Sequence, residues 1–222
     1  MSIRVVLAED DYLVREGVAR LIGSEDELEL VATCADYASL LECVDTEKPD
    51  VVVTDIRMPP TGTDEGIRAA NELRSRSPDV GVVVLSQYAE PSYALAFLEH
   101  GSKGRAYLLK ERVSDIKQLA DAIRQTATGG SVIDPVVVDA LVTARSRAQN
   151  SPMRLLTPRE KEILAEMATG KNNAAVAAAL VLSERAVEKH INSIFSKLGL
   201  SQELDVHRRV KAVLLFLSDR AD

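Results

Sequence analysis

With 222 residues the chain has room for one or two domains, and a hydrophobic content of 46% supplies real cores, filled by aliphatic side chains because aromatics are only 4% and Trp is absent. The net charge of −7 argues against a plain nucleic-acid binder, yet residues 1–151 carry 16 basic and 25 acidic groups while residues 152–222 carry 11 and 9. Balances of −9 and +2 suggest two modules with different partners.

The first apolar run, Ile3–Ala8, reads as a strand and leads directly into Glu9, Asp10 and Asp11. Leu13, Gly17, Val18, Leu21 and Ile22 then recur at helical spacing. A second strand is expected at Leu28–Cys34 and a second helix at Ala38–Thr46. Val51–Thr54 is a β-branched run suited to a strand buried on both faces, with Asp55 at its end and Pro59–Pro60 stopping the segment. A polar loop, Thr61–Asp64, precedes a helix at Glu65–Arg76. Val82–Ser86 and Ala106–Leu109 are the fourth and fifth strands, with helices at Pro91–His100 and Val113–Thr128. Gly129–Gly130 ends the last of these.

Strands alternating with helices demand a doubly wound five-stranded parallel sheet with helices on both faces. Every strand then points its carboxyl end at one edge, where open α/β sheets place their chemistry. Glu9, Asp10, Asp55, Ser86 and Lys110 gather there from four strands. Asp55 reads as a phosphoryl acceptor. Cys34 and Cys43 lack metal-ligand spacing and read as thiols in a reducing compartment. No apolar run is long enough to span a bilayer, and MSIRVVLAEDD runs straight into a strand pattern that leaves no room for a signal peptide. A cytoplasmic protein without membrane contact is expected.

AEDD at 8–11, TDIRMP at 54–59, VVLS at 83–86 and YLLK at 107–110 resemble the receiver domain of response regulators over about residues 1–130. The resemblance implies a flavodoxin/CheY-like fold with strand order 2-1-3-4-5, the order given for that fold as a general example. It also implies Mg²⁺ (or Mn²⁺) held by Asp10 and Asp55, by Glu9 mainly through water, and by the backbone carbonyl of Arg57. Lys110 and Ser86 would bind phosphoryl oxygens, and Tyr107 would act as an aromatic switch. Asp11, one residue past the matching pair, reads as exposed or helix-capping. Glu9 departs from the Asp more usual in the family, and Ser86 from the Thr. The Pro60–Glu65 loop is longer than the usual turn, and Gln87 stands where a small residue is common; both border the pocket. Asp55-Ile56-Arg57 lacks the second Asp that a haloacid-dehalogenase-like phosphatase uses, so no enzyme is expected.

Residues 131–153 read as a linker with one short helix from VVVDALV. A second, all-α module is expected at 154–222. It opens with a Thr157–Glu160 capping box and Pro at the first helical position. A short helix at Asn173–Leu180, capped by Asn172, and a turn at Val181–Leu182 lead to a longer helix capped by Ser183. There Val187, Ile191, Ile194 and Leu198 form one apolar stripe, with Arg185, Glu188, Lys189, Asn192 and Ser196 opposite. LTPREKEIL and VLSERAVEKHINSIFSKLGL resemble the LuxR-type helix-turn-helix, which makes the whole chain resemble the NarL/FixJ class of response regulators. Matching positions imply base contacts by Glu188, Lys189 and Asn192, and backbone contacts by Arg185, Asn173, Lys197 and Thr157. In the last helix, Asp205–Ser218, the stripe Val206, Val210, Val213 and Leu217 should face the core, and the extra apolar surface of Leu214, Leu215 and Phe216 reads either as a dimer contact or as a wide face covering its own small domain.

The resulting reading is a two-component response regulator. Phosphorylation of Asp55 by a sensor histidine kinase would control dimerisation and binding to paired half-sites on double-stranded promoter DNA, with RNA polymerase a further partner. The alternative is a receiver-containing transcription factor controlled without phosphorylation.

Overall fold

The structure, a computed structural model, describes residues 2–113, 116–201 and 207–221. The chain divides into two compact units, Met1–Leu141 and Val142–Asp222.

The first unit is a six-stranded parallel sheet in the order β2-β1-β3-β4-β5-β6. Its strands are β1 (Ile3–Ala8), β2 (Leu28–Cys34), β3 (Val51–Asp55), β4 (Gly81–Ser86), β5 (Arg105–Leu109) and β6 (Ser131–Ile133). Helices α1 (Tyr12–Gly23) and α5 (Ile116–Ala127) pack on one face, where Val18, Ile22, Leu119 and Ile123 meet Val5, Leu7, Val53 and Val83. Helices α2 (Tyr37–Glu47), α3 (Glu65–Arg76) and α4 (Pro91–Leu98) cover the other, where Leu40, Leu73 and Phe97 meet Val6, Val52 and Val84. Alternation along β3 sends Val52 to one core and Val51 and Val53 to the other, so this β-branched run is buried on both faces. Asp11 caps α1, accepting from the N–H groups of Leu13 and Val14 at 2.8 and 3.1 Å.

The sixth strand is a correction. Residues 131–133, read from the sequence as the start of a linker, pair in parallel with β5, with Tyr107 opposite Ile133. The segment that follows is a 16-residue helix, α6 (Pro135–Asn150), longer than the short helix expected. Three residues, Ser131 exposed and Val132 and Ile133 half-buried, carry too little periodic pattern to read as a strand.

The second unit is helical: α7 (Pro158–Ala168), α8 (Asn173–Leu180), α9 (Glu184–Lys197) and α10 (Arg208–Ala221). The expected caps form: Thr157 and Glu160 make the reciprocal box, Asn172 accepts from Ala175, and Ser183 from Ala186. Val187, Ile191, Ile194 and Leu198 are buried in one cluster with Ile163, Leu164 and Met167. In α10 the core face matches the expected stripe only at Val213, which packs against the cluster. Ala212 and Phe216 are buried, whereas Val210, Leu214 and Leu217 are exposed, and Val206 lies outside the described residues.

Candidate functional site

Because all six strands are parallel, β1, β3, β4 and β5 end on one edge of the sheet. Glu9 and Asp10 follow β1, Asp55 closes β3, Ser86 closes β4, and Lys110 follows β5. One carboxylate oxygen from each of Glu9, Asp10 and Asp55 lies within 4.8 Å of the others. Glu9 is buried and Asp10 exposed. Lys110 Nζ stands 2.8 Å from Glu9 Oε2, 3.0 Å from Glu9 Oε1 and 3.1 Å from Asp55 Oδ2. Asp55 Oδ1 accepts from the Ile56 N–H at 2.8 Å.

This crowding has an electrostatic signature. Burial pushes the Asp55 pKa up, and Lys110 opposes it. Burial likewise raises Glu9, opposed by its hydrogen bond from Lys110 and reinforced by the Asp55 charge. Burial would lower Lys110, but its bond to Glu9 and the Asp55 charge raise it. Lys110 pairs with Glu9 and Asp55, and Asp10 adds a third carboxylate to the cluster, so the three carboxylates outnumber the one ammonium among them. Among the described residues, buried Glu9 Oε2 has no hydrogen-bond partner beside its ion pair with Lys110. A hard cation that takes oxygen ligands fits this donor set.

Ser86 and Tyr107 are less simply placed. The Ser86 hydroxyl is turned into its own loop, donating to Tyr88 O at 2.6 Å and accepting from Tyr88 N–H at 3.3 Å. Tyr107 is fully buried, its ring edge-on to Phe97 with centroids 6.2 Å apart. Arg57 turns its side chain outward to Glu90 at 3.1 Å and over the Tyr93 ring, and Tyr93 in turn donates to Thr63 O at 3.0 Å. Gln87 is exposed.

Three residues that hold the pocket escaped the sequence reading. Glu65, fully buried, accepts from the N–H groups of Thr61 and Thr63 at 3.0 and 2.9 Å and from the Thr61 hydroxyl, so it pins the long loop beside Asp55. Burial alone would raise its pKa, but these donors bring it down to about 2. Gly66 abuts the Asp55 carbonyl, and Arg15 donates to the Glu9 carbonyl at 2.6 Å. An acidic residue directly after a polar loop, followed by Gly, was the only available hint.

In the second unit, Arg185, Glu188, Lys189 and Asn192 form an exposed polar face on α9, as the spacing implies. Three other expected contacts are engaged within the unit. Lys197 Nζ binds Glu160 Oε2 at 2.7 Å, the Thr157 hydroxyl serves the capping box, and Asn173 Oδ1 accepts from Arg209 at 2.9 Å. Glu160, buried, also accepts from the Ser193 hydroxyl at 2.7 Å and so ties α7 to α9. Its burial would raise its pKa, but Lys197, the Thr157 N–H and Ser193 hold it at about 2.

A doubly wound domain with an acidic edge, followed by a capped helix-turn-helix, defines a class of two-module regulator. Residues 5–124 match the response regulator receiver domain, and residues 154–216 match the luxR family of bacterial regulatory proteins. The transcriptional regulatory protein DegU of Brevibacillus brevis is 34% identical over 96% of this chain and 92% of its own. Among solved structures, response regulator ChrA of a heme-sensing two-component system is 33% identical, covering 100% of this chain and 99% of that one, with a TM-score of 0.56. RcsB in its DNA complex, 21% identical over 99% of both chains, shares the fold with a TM-score of 0.61. The chain belongs to the response regulators of the NarL/FixJ class, DNA-binding transcription regulators built from a receiver and a LuxR-type helix-turn-helix domain. Among the described residues, no helix is long and apolar enough to cross a membrane.

Proposed function

We propose that this regulator is switched by phosphorylation of Asp55 by a sensor histidine kinase and that the switch controls self-association and promoter binding in the cytoplasm. The observation that carries the reading is the convergence of Glu9, Asp10, Asp55 and Lys110 on one sheet edge. An Asp55 carboxylate oxygen attacks phosphorus, the bond to the donor's leaving group breaks, and an acyl phosphate forms. Lys110, already 3.1 Å from Asp55 Oδ2, is placed to pair with a phosphoryl oxygen, and Ser86 reaches another by leaving Tyr88. Mg²⁺ or Mn²⁺ bound by Glu9, Asp10, Asp55 and the Arg57 carbonyl would offset the carboxylate charge and that of the incoming phosphoryl group. On α9, Lys189 and Asn192 carry the donor and acceptor patterns that read guanine and adenine edges, and Arg185 suits a phosphate.

The test is labelling by acetyl phosphate with Mg²⁺, read by intact mass. Wild type should gain one phosphoryl group, and Asp55→Asn, which keeps the shape but not the nucleophile, should gain none. Undiminished labelling of that variant would sink the assignment.

A further inference from the structure

The chain has only two cysteines, and the fold brings them together. Cys34 closes β2, is 5% exposed, and belongs to the core cluster beneath α2. Cys43 lies on α2, three residues after the buried Leu40 and one before the buried Val44, and packs against the same cluster. The two thiols are near enough for Cys43 to serve as a hydrogen-bond partner of Cys34, and both are free. In a reducing compartment, paired thiols of this kind form transient, sensing disulfides rather than permanent ones.

The two differ in access. Cys43 is half-buried, whereas burial raises the Cys34 pKa and keeps that thiol protonated. A peroxide therefore meets Cys43 first. The Cys43 sulfur takes one oxygen from hydrogen peroxide and becomes a sulfenic acid, and water leaves. The Cys34 sulfur then attacks the Cys43 sulfur. An S–S bond forms, the S–O bond breaks, and the hydroxyl departs with the Cys34 proton as a second water. Two thiols are oxidised to one disulfide, and one peroxide is reduced to two waters.

Cys34 is also an anchor of the acidic edge. It pairs with Ala8 in the ladder, and its carbonyl accepts from the Glu9 N–H at 3.1 Å. Beyond it, the Tyr37 N–H donates to the Pro59 carbonyl at 3.2 Å. The turn from β2 to α2 thus holds the backbone at Glu9 and in the loop that follows Asp55. A disulfide needs its sulfurs about 2 Å apart and a narrow range of torsions. Closing it draws the end of β2 and α2 together and pulls on both of these bonds.

We propose that Cys34 and Cys43 form a reversible disulfide in response to hydrogen peroxide, and that this bond weakens divalent-cation binding at Glu9, Asp10 and Asp55. The second half rests on the cation reading of that edge given above. Disturbing the groups that orient metal ligands changes affinity by about 10–100-fold.

The experiment treats the full chain with hydrogen peroxide, alkylates it with iodoacetamide and measures the intact mass. Reduced wild type should take up two alkyl groups. Oxidised wild type should take up none, at the mass of a single chain lighter by two hydrogens, and dithiothreitol should restore both sites. Cys34→Ser should instead gain oxygen on Cys43, while Cys43→Ser should keep an unoxidised thiol; a pair with a purely packing role predicts neither. Mg²⁺ titration by calorimetry should show affinity falling about tenfold or more on oxidation of wild type, and no change for Cys43→Ser after the same treatment. Two alkyl groups on peroxide-treated wild type, or two chains cross-linked to each other, overturn the disulfide. A disulfide that leaves Mg²⁺ affinity unchanged overturns the coupling. Reduced wild type that binds no Mg²⁺ overturns the cation reading and the coupling with it, whereas the disulfide is decided by the mass alone.

Discussion

Gly66 is the residue with least freedom around the pocket. A Cβ there would lie 1.8 Å from the Asp55 carbonyl oxygen, and the Gly66 N–H donates to Ile56 O at 2.9 Å. Backbone cannot give way as a side chain can, so Gly66→Ala must displace the end of β3 or the start of α3. The expected cost is about 1–3 kcal/mol, as for other overpacked sites, with a slower rate of acetyl phosphate labelling despite an intact Asp55. Denaturant titration and labelling kinetics check both, and an Ala variant equal to wild type in each would contradict the close approach. Glu160 offers a pH-dependent case. Its folded pKa, about 2, lies below the ordinary glutamate value of 4.5. A depressed carboxylate pKa contributes stability that is complete above the unfolded value and is lost as pH falls through the folded one. Glu160→Gln should therefore destabilise the helical unit at neutral pH, by about 1.5–3 kcal/mol for lost charge-assisted bonds, and the gap from wild type should narrow between pH 4.5 and about 2. Unfolding curves of the two proteins across that window measure it; a gap constant with pH would show that the carboxylate is not held by Lys197.

At the scale of elements, α9 separates into two functions along its length. Arg185, Glu188, Lys189 and Asn192 are exposed, while Ser193 and Lys197 are bound to Glu160. Replacing Lys189 or Asn192 by Ala should cost about 1–3 kcal/mol on a duplex selected from a random pool and relax preference at one base. Arg185→Ala should weaken all sequences alike and reduce the salt slope by about one. Lys197→Ala should instead lower the melting temperature of the helical unit, because it leaves the buried Glu160 carboxylate without its ammonium. Titrations on selected and random duplexes at several salt concentrations distinguish these; equal losses for Lys189→Ala on both duplexes would move base reading to another surface. The contrast shows what a sequence can carry. Periodicity made the buried stripe of α9 and its polar opposite face legible, and four motifs at strand ends gave Glu9, Asp10, Asp55 and Lys110. The Glu160–Lys197 pair spans 37 residues between two helices, so nothing local distinguishes Lys197 from a solvent-facing lysine. The capping box did name Glu160, but not its link to α9. β6 failed for a different reason: a three-residue edge strand is defined by its partner β5 and has no pattern of its own. The α10 stripe was right only at Val213, because apolar residues cover most of that helix and only packing shows that Ala212 and Phe216 face inward.

For the whole molecule, weak charge and exposed apolar surface lead to the same expectation. Residues 152–222 carry a balance of only +2, so one helix-turn-helix unit has little electrostatic attraction for DNA. Val210, Leu214 and Leu217 of α10 are 53%, 60% and 47% exposed and recur at i, i+4 and i+7, a single apolar stripe on a helix whose opposite side fills the core. A second copy of this chain meeting that stripe would hold two units on one duplex. The second binding step then becomes intramolecular, and affinity rises by about 10²–10⁴ without any new contact to DNA. Phosphorylation would act on that assembly by linkage, favouring the self-associated state it binds better. Leu214→Glu places a charge in the stripe without touching α9 or the acidic pocket. It should leave acetyl phosphate labelling and affinity for a single half-site unchanged, while removing most of the gain on a duplex with two half-sites. Sedimentation of the phosphorylated protein should show wild type shifting toward the dimer and the variant remaining monomeric. If Leu214→Glu binds two half-sites as tightly as wild type, α10 is not the contact that pairs the reading heads, and the copies must associate through the receiver.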